Sequence, residues 1–314
     1  MLGAGALAWV VCGPILADEA ALDASLHVAA ASTETIPVSV MTFNIRTSLG
    51  RDGDNIWPNR KALVAETIRH YSPQVVGLQE ALGEQVQYLD EALPAYRWLG
   101  VDRGLNGGTG LSEATPIFYR YRELSPIESG NFWLSATPTL PTPGRRPSRI
   151  VTWARFYHRE SGAEVYVFNT HLTIRRGERQ VASMKQIVGR INALPEGSAA
   201  IVTGDFNSRA EVAQTWREAT TGGQLADAWT IASERLGPAV TWSGFRPPRE
   251  VENRIDWILV GGPVAVQSVE TVVYTDGQRY PSDHFPVYAR LALAVTNNHQ
   301  PTESSAVGRP SSSR

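Results

Sequence analysis

Short runs rich in Val, Ile, Leu and Phe recur along the chain at residues 38–45, 74–79, 165–168, 199–203, 255–260 and 285–293. Their length and composition predict β-strands. Three other stretches carry a helical period. Residues 59–71 place apolar side chains at 63, 64, 68 and 71, residues 177–194 at 181, 184, 188 and 191, and residues 82–93 follow the same spacing. Strands apolar on both faces need a covering layer on each side, so the pattern predicts a layered α/β sandwich rather than a one-faced sheet. No linker and no short repeat interrupts residues 37–294, which predicts one domain there. Residues 137–149 (TPTLPTPGRRPSR) cannot be helix or strand interior, because proline lacks the N–H donor and fixes φ. They predict a long loop, and long loops inside compact domains are commonly functional.

The ends differ from this middle. Residues 1–17 carry no charge and residues 2–16 are almost wholly apolar, ending abruptly at Asp18 and Glu19. About 15 apolar residues fall short of the ~20 that span a bilayer but suit the core of a cleaved signal peptide. The expectation is a secreted or periplasmic protein with no stable membrane span in the mature chain. Cys12, the single cysteine, would leave with the signal. Residues 296–314 are polar and Ser/Pro-rich, and a disordered tail is expected there.

Of 314 residues, 42% are hydrophobic and 19% charged, enough for a sizeable core. Lys plus Arg total 29 against 31 Asp plus Glu, a net charge of −2. That balance disfavours holding long nucleic acid through a basic surface, though not local nuclease chemistry. One cysteine excludes a disulfide scaffold and a multi-cysteine zinc site. A monomer is expected.

The chemistry collects at strand ends. The first run ends in Asn44, the second in Glu80, the third in Asn169-Thr170-His171 and the fourth in Asp205-Phe206-Asn207. A fifth begins just after Asp256, and Ser282-Asp283-His284 precedes the last. Oxygen-rich sites suit hard cations such as Mg²⁺, Mn²⁺ or Ca²⁺. Carboxylates this numerous repel unless a cation or a proton separates them. Two imidazoles can donate to phosphoryl oxygens or move a proton near neutrality. The sum is metal-assisted attack of water on a phosphate ester.

Seven motifs in order, TFNIR (42–46), GLQE (77–80), SEATPIFYR (112–120), NTHL (169–172), TGDFN (203–207), RIDWILV (254–260) and PSDHFPV (281–287), make the chain resemble the endonuclease/exonuclease/phosphatase superfamily. The resemblance is to a secreted bacterial-type member of the deoxyribonuclease I-like metal-dependent phosphohydrolases. It covers residues 37–294 and implies a four-layer α/β/β/α sandwich of two mixed β-sheets. It implies Mg²⁺ (or Mn²⁺) held by Glu80 with Asn44, and Asp283 as a second carboxylate near the metal. It makes Asp205 the residue that aligns and deprotonates water, Asn207 a ligand or phosphate contact, and His284 the phosphate-binding or proton-shuttling histidine oriented by Asp256. It also pairs Glu113 with His171, giving two His–carboxylate pairs. A tyrosine stands at the position of His171 in the abasic-site enzymes, and an acidic residue at that of Arg46, so the chain leans away from that branch.

Each motif has a plainer reading: Asn44 as a turn residue, Gly204-Asp205 as a turn, Ser282-Asp283 as a cap. None of these explains the set. Arginines 145, 146, 149, 155, 175, 176 and 179 could form a cationic rim for an anionic substrate or a solvated surface. Trp133, Trp153, Trp242 and Phe245 read as core residues before stacking platforms, His70 and His158 as structural. Residues 102–108 read as a flexible loop covering the site. The substrate expected is a phosphate ester, with nucleic acid and nucleotide both open; a sphingomyelinase-like activity and a catalytically silent binding module are the alternatives.

Overall fold

The computed structural model describes residues 34–104, 112–142, 148–175 and 177–295. The apolar segment 1–17, the tail 296–314, residues 105–108 of the glycine-rich loop and arginines 145, 146 and 176 lie outside the described residues.

Strand β1 (Glu34–Asn44) shows why two covering layers are needed. Val38 and Val40 face one way and Met41 and Phe43 are buried too, so both of its faces are dry. It pairs in parallel with β2 (Val75–Gln79). Beyond β2 the sheet continues with β4 (Ile117–Arg120) and β3 (Tyr96–Leu99), both added antiparallel. The second sheet runs in the order β5 (Leu124–Trp133), β6 (Ile150–His158), β7 (Glu164–His171), β8 (Ala200–Asp205), β11 (Asp256–Gly261), β9 (Ala226–Asp227). The first sheet is completed on the other side of β1 by β13 (Val287–Val295), β12 (Val264–Thr271) and β10 (Glu234–Leu236).

Three apolar clusters define the layers. Val38, Val40, Ile117, Phe156, Val167, Ile201 and Ile258 pack between the two sheets. Met41, Phe43, Val76 and Leu78 on the first sheet's outer face meet Val64 and Ile68 of α1 (Trp57–Tyr71) and Leu89 of α2 (Gly83–Ala92). Phe168, Val202, Trp257 and Leu259 on the second sheet's outer face meet Met184 and Ile187 of α3 (Glu178–Asn192). The helices α4 (Gln214–Thr220) and α5 (Ala228–Ile231) complete the set. The result is the four-layer α/β/β/α sandwich of two mixed sheets. Among the described residues no helix is long and apolar enough to cross a membrane.

Two features bring the sheets together beneath the site. A Cβ on Gly77 would lie 2.1 Å from Thr203 Oγ1 and 2.6 Å from Asn169 Oδ1, so the close approach requires glycine. Over it, buried Gln79 Nε2 donates to Asn169 Oδ1 (2.7 Å) and to Thr42 Oγ1 (3.0 Å), while Thr203 Oγ1 donates to the same Asn169 oxygen (3.1 Å). Buried hydrogen bonds of this kind fix one arrangement of the sheets, although Gln79 Oε1 itself has no partner among the described residues.

Candidate active site

Strand register lines the residues up. Asp205 closes β8 opposite His171 on β7 and opposite Asp256 on β11, so three functional side chains stand in a row across neighbouring strands. Asn44 closes β1 beside Gln79, and Glu80 follows. Thr42 pairs with Val287 on antiparallel β13, which brings Ser282, Asp283 and His284 to the same edge. Three residues at this edge hold left-handed backbone: Arg46 (φ 54°), Glu80 (φ 59°) and Asn207 (φ 49°). Asn tolerates that region, whereas Arg and Glu sit there at a cost of about 1–2 kcal/mol each. Such strain persists where the surroundings dictate it, typically at functional sites.

Asp205 Oδ2 is the hub. It accepts from Asn44 Nδ2 at 2.9 Å and lies 3.4 Å from Asn207 Nδ2, 3.5 Å from His171 Nε2 and 3.9 Å from His284 Nε2. Its other oxygen accepts from the Asn207 backbone N–H at 2.8 Å. Burial, reinforced by the neighbouring Asp256 charge, pushes the Asp205 carboxyl up to about 7. Glu80 accepts from the Thr47 backbone N–H (3.0 Å) and from Asn44 Nδ2 (3.3 Å).

The two histidines are both buried and differ in what holds them. His284 Nδ1 faces Asp256, 2.9 Å from Oδ2 and 3.2 Å from Oδ1. Burial opposes its charge, but Asp256, Asp205 and Asp283 together outweigh that and hold the imidazolium well above its ordinary range. His171 Nδ1 instead lies 2.9 Å from Arg149 Nη1. Burial, then the Arg149 charge, pushes it well below the ordinary range. An arginine can only donate, so Nδ1 accepts and the neutral ring carries its proton on Nε2, on the side of Asp205 Oδ2 3.5 Å away. Asn207 Nδ2, itself a donor committed to Leu172 O and Asp205, lies 3.0 Å from the same nitrogen without bonding it.

This corrects the expectation of a direct Glu113–His171 pair. Glu113 Oε2 bonds Arg149 Nη1 (3.1 Å) and Arg103 Nη2 (3.2 Å), and the Arg149 guanidinium links it to the ring. The positive charge beside His171 is therefore on the arginine rather than on the ring. Asp283 also stands apart: its carboxylate is 3.8 Å from Arg46 Nε and 3.3 Å from Ser282 Oγ. Among the described residues two groups of three potential ligands lie close enough to share an ion, Glu80 with His171 and Asp205, and Asp205 with Asp256 and His284; Asp283 belongs to neither.

Sequence reasoning missed two arginines. Arg46 binds Asp52 through Nε and Nη2, both at 3.0 Å, and reaches Glu80 at 3.8 Å. Fully buried Arg60 donates to the carbonyls of Ile45, Arg46 (2.7 Å), Asn55 (2.9 Å) and Pro281 (3.0 Å), tying the end of β1 to the loop that carries His284. The available signal was a charge at position 60 on the apolar stripe of a helix. Of the aromatics, Trp133 is buried and Trp153 stacks on Phe168, while Phe245 is half-buried under Arg60. Trp242 is not core: it bridges to His284 through the backbone and the residue is 45% exposed. His158 bonds Ser161 and His70 packs on Tyr71 and Tyr274, both structural.

The donor set fits a hard divalent cation. Glu80 and Asp205 are carboxylates, Asn44 offers an amide, and the buried Asp205 carboxyl, raised by burial and then by the Asp256 charge, is one whose ionised form a cation would stabilise.

A model of the Endonuclease/Exonuclease/phosphatase family matches residues 41–284. The chain belongs to this family. A solved endonuclease/exonuclease/phosphatase from Bacteroides vulgatus is 33% identical with a TM-score of 0.76, covering 82% of this chain and 99% of that one. A mannosyl-6-phosphatase from Bacteroides thetaiotaomicron is 29% identical with a TM-score of 0.74, covering 81% and 99%. Mouse tyrosyl-DNA phosphodiesterase 2 is 24% identical over 270 residues, 82% of this chain and 67% of that protein. Family members similar to this chain thus come from bacteria and vertebrates. With its two ligand groups intact, this member is a divalent-metal-dependent hydrolase of phosphate esters.

Proposed function

We propose that Glu80, helped by Asn44, holds Mg²⁺ or Mn²⁺, and that Asp205, Asn207, His171 and His284 surround the scissile phosphate. Bound there, the cation supplies charge neutralisation at a phosphoryl oxygen. Asp205 orients water and takes its proton. A carboxyl near 7 is matched to that task at neutral pH, and the Asn44 and Asn207 N–H groups keep it aimed. His284, charged and held at Nδ1 by Asp256, presents Nε2–H to phosphoryl charge or to the departing oxygen. His171, a neutral ring with Nδ1 held by Arg149, presents Nε2–H to phosphoryl charge from beside Asp205. Glu113 is a positioning residue acting through Arg149, and Asp283 supports the charge on His284 and Arg46.

The observation that carries this reading is the convergence of Asn44, Asn207, His171 and His284 on one oxygen of Asp205, all within 3.9 Å. The substrate is a small phosphate ester, nucleotides included. The near-neutral chain and the 29% identity to a sugar phosphatase favour it over long duplex DNA. A secreted bacterial-type enzyme is part of the proposal, supported by the apolar run at residues 2–16 and tested by the mass of the mature N-terminus. The functional test is hydrolysis of a panel of sugar phosphates, nucleotides, inositol polyphosphates, single-stranded RNA, plasmid DNA and sphingomyelin with Mg²⁺, Mn²⁺ or chelator. Metal-dependent turnover of a small ester, abolished in Asp205→Asn, is expected. Full activity in a folded Asp205→Asn protein overturns it.

A further inference from the structure

Beside the acidic crater lies a cavity of about 920 Å³ whose charge is of the opposite sign. Among the described residues, Arg103, Arg149, Arg175 and Arg179 line it against one carboxylate, Glu113, which leaves three positive charges of four unbalanced. Arg103 and Arg149 both bond Glu113. Arg175 and Arg179 make no ion pair among the described residues, although both are exposed and free to reach one. Several arginines elsewhere, among them Arg60, Arg69, Arg97 and Arg159, bond carbonyls rather than acids, so what distinguishes Arg175 and Arg179 is their place in a concave wall shared with Arg103 and Arg149. A concave surface of one sign focuses its field and concentrates counter-charge. Ordinary solvated arginines on a convex face do neither.

The cavity begins where the crater ends. Arg149 contacts both the cavity and His171 Nδ1, at 2.9 Å. Arg175 follows His171 by four residues, so their backbones are at most about 14 Å apart. Ser135, Ser148 and Gln186 add neutral hydrogen-bonding groups to the wall.

We propose that this cavity binds a second anionic group of the substrate, so that the preferred substrate is a phosphate ester carrying another phosphate or a carboxylate within reach of Arg175 and Arg179. The proposal rests on the crater being the site of the scissile phosphate. It makes Arg175 and Arg179 specificity-determining, because guanidinium forks bind phosphate through paired, charge-assisted hydrogen bonds.

The test compares hexane-1,6-diol bisphosphate with hexyl phosphate, which differ by the second phosphate alone. In chelator, where turnover stops, calorimetry on the full chain should show the bisphosphate binding about tenfold or more tighter. The preference should collapse to about twofold in Arg175→Ala/Arg179→Ala, while Arg175→Lys/Arg179→Lys falls between, keeping the charge and losing the fork. Raising the salt should shrink it in the wild type. No preference in the wild type, or a preference that survives the double alanine variant, overturns the proposal. With Mg²⁺ added, the kcat/KM ratio of the two esters should fall in the same variant. If neither ester is turned over with metal, the reading of the crater fails, and the binding arm still decides the cavity.

Discussion

His171 and His284 are the same residue type, equally buried, on either side of one aspartate, and they carry opposite protonation. Asp256 lies at 2.9 Å from one and Arg149 at 2.9 Å from the other. Burial alone neutralises both rings; a carboxylate reverses that for His284 and a guanidinium deepens it for His171. The site thus holds a mobile proton on one side and a fixed guanidinium charge, one residue removed, on the other. A proton donor to the departing oxygen must be able to release its proton. A group that only stabilises phosphoryl charge need not titrate at all. The pairing of each ring therefore assigns its task.

The largest effect expected from that division is on turnover. His284→Gln removes the titrating donor and should lower kcat by about 10²–10⁴-fold. His171→Gln keeps a neutral N–H donor and should cost about tenfold, the lower end of what a hydrogen bond to a charged group contributes. Steady-state kinetics on one ester decide it, with melting temperature as the control. Equal losses in the two variants would break the comparison.

What could be read from the sequence was what motifs and periodicity encode. Asn44, Glu80, Asp205, Asp256 and His284 sit at ends of apolar runs, and the structure gathers them at one edge through register alone. The helices α1, α2 and α3 followed from their apolar stripes. Strands β5 and β12 did not stand out, because their half-exposed, charge-bearing patterns look like loop or surface, and β6, mostly buried, did not because Thr152, Arg155 and His158 interrupt its apolar run. The pairing of Glu113 was mistaken for a geometric reason. Nothing local to position 149 tells that its guanidinium enters between a carboxylate and an imidazole carried by other segments. Arg60 was equally hidden, since its partners are backbone carbonyls, which every sequence has.

Arg60 gives the next effect. It braces the His284 side through the carbonyl of Pro281 and does not touch the His171 side. Arg60→Met leaves buried carbonyls unpaired and should cost about 2–4 kcal/mol in urea unfolding. Its catalytic defect should resemble a mild His284 variant rather than a His171 variant.

Stability against pH separates the rings without any assay of activity. Folded His284 keeps its proton well above the ordinary 6.5. That stabilisation is complete below pH 6.5 and is lost as pH rises through the folded value. Asp205, pushed up to about 7, adds the same sign, because the unfolded chain releases its proton above 3.8. His171 has the reverse sign: the folded ring refuses a proton that the unfolded chain takes below 6.5, so stability falls as pH drops below that value. In chelator, His284→Gln should flatten the alkaline limb of the urea midpoint and His171→Gln the acid limb. Flattening of the same limb by both variants would contradict the opposite charges.

The smallest effect is the most discriminating for the link through Arg149. If Glu113 held His171 directly, Glu113→Gln would remove the charge that keeps the ring cationic, shift the pH profile and cost about 10²-fold or more. With the guanidinium between them, the glutamate only balances Arg149 and Arg103. Its loss leaves their positive charge unopposed, which holds His171 still more firmly neutral, the state it already has. Glu113→Gln should therefore lower kcat/KM by less than about fivefold, the scale of a partly exposed ion pair, and leave the pH optimum in place. Arg149→Met should do what Glu113→Gln does not. It frees Nδ1 and lets the His171 resonances titrate nearer the ordinary range in NMR, making the two sides of the site more alike.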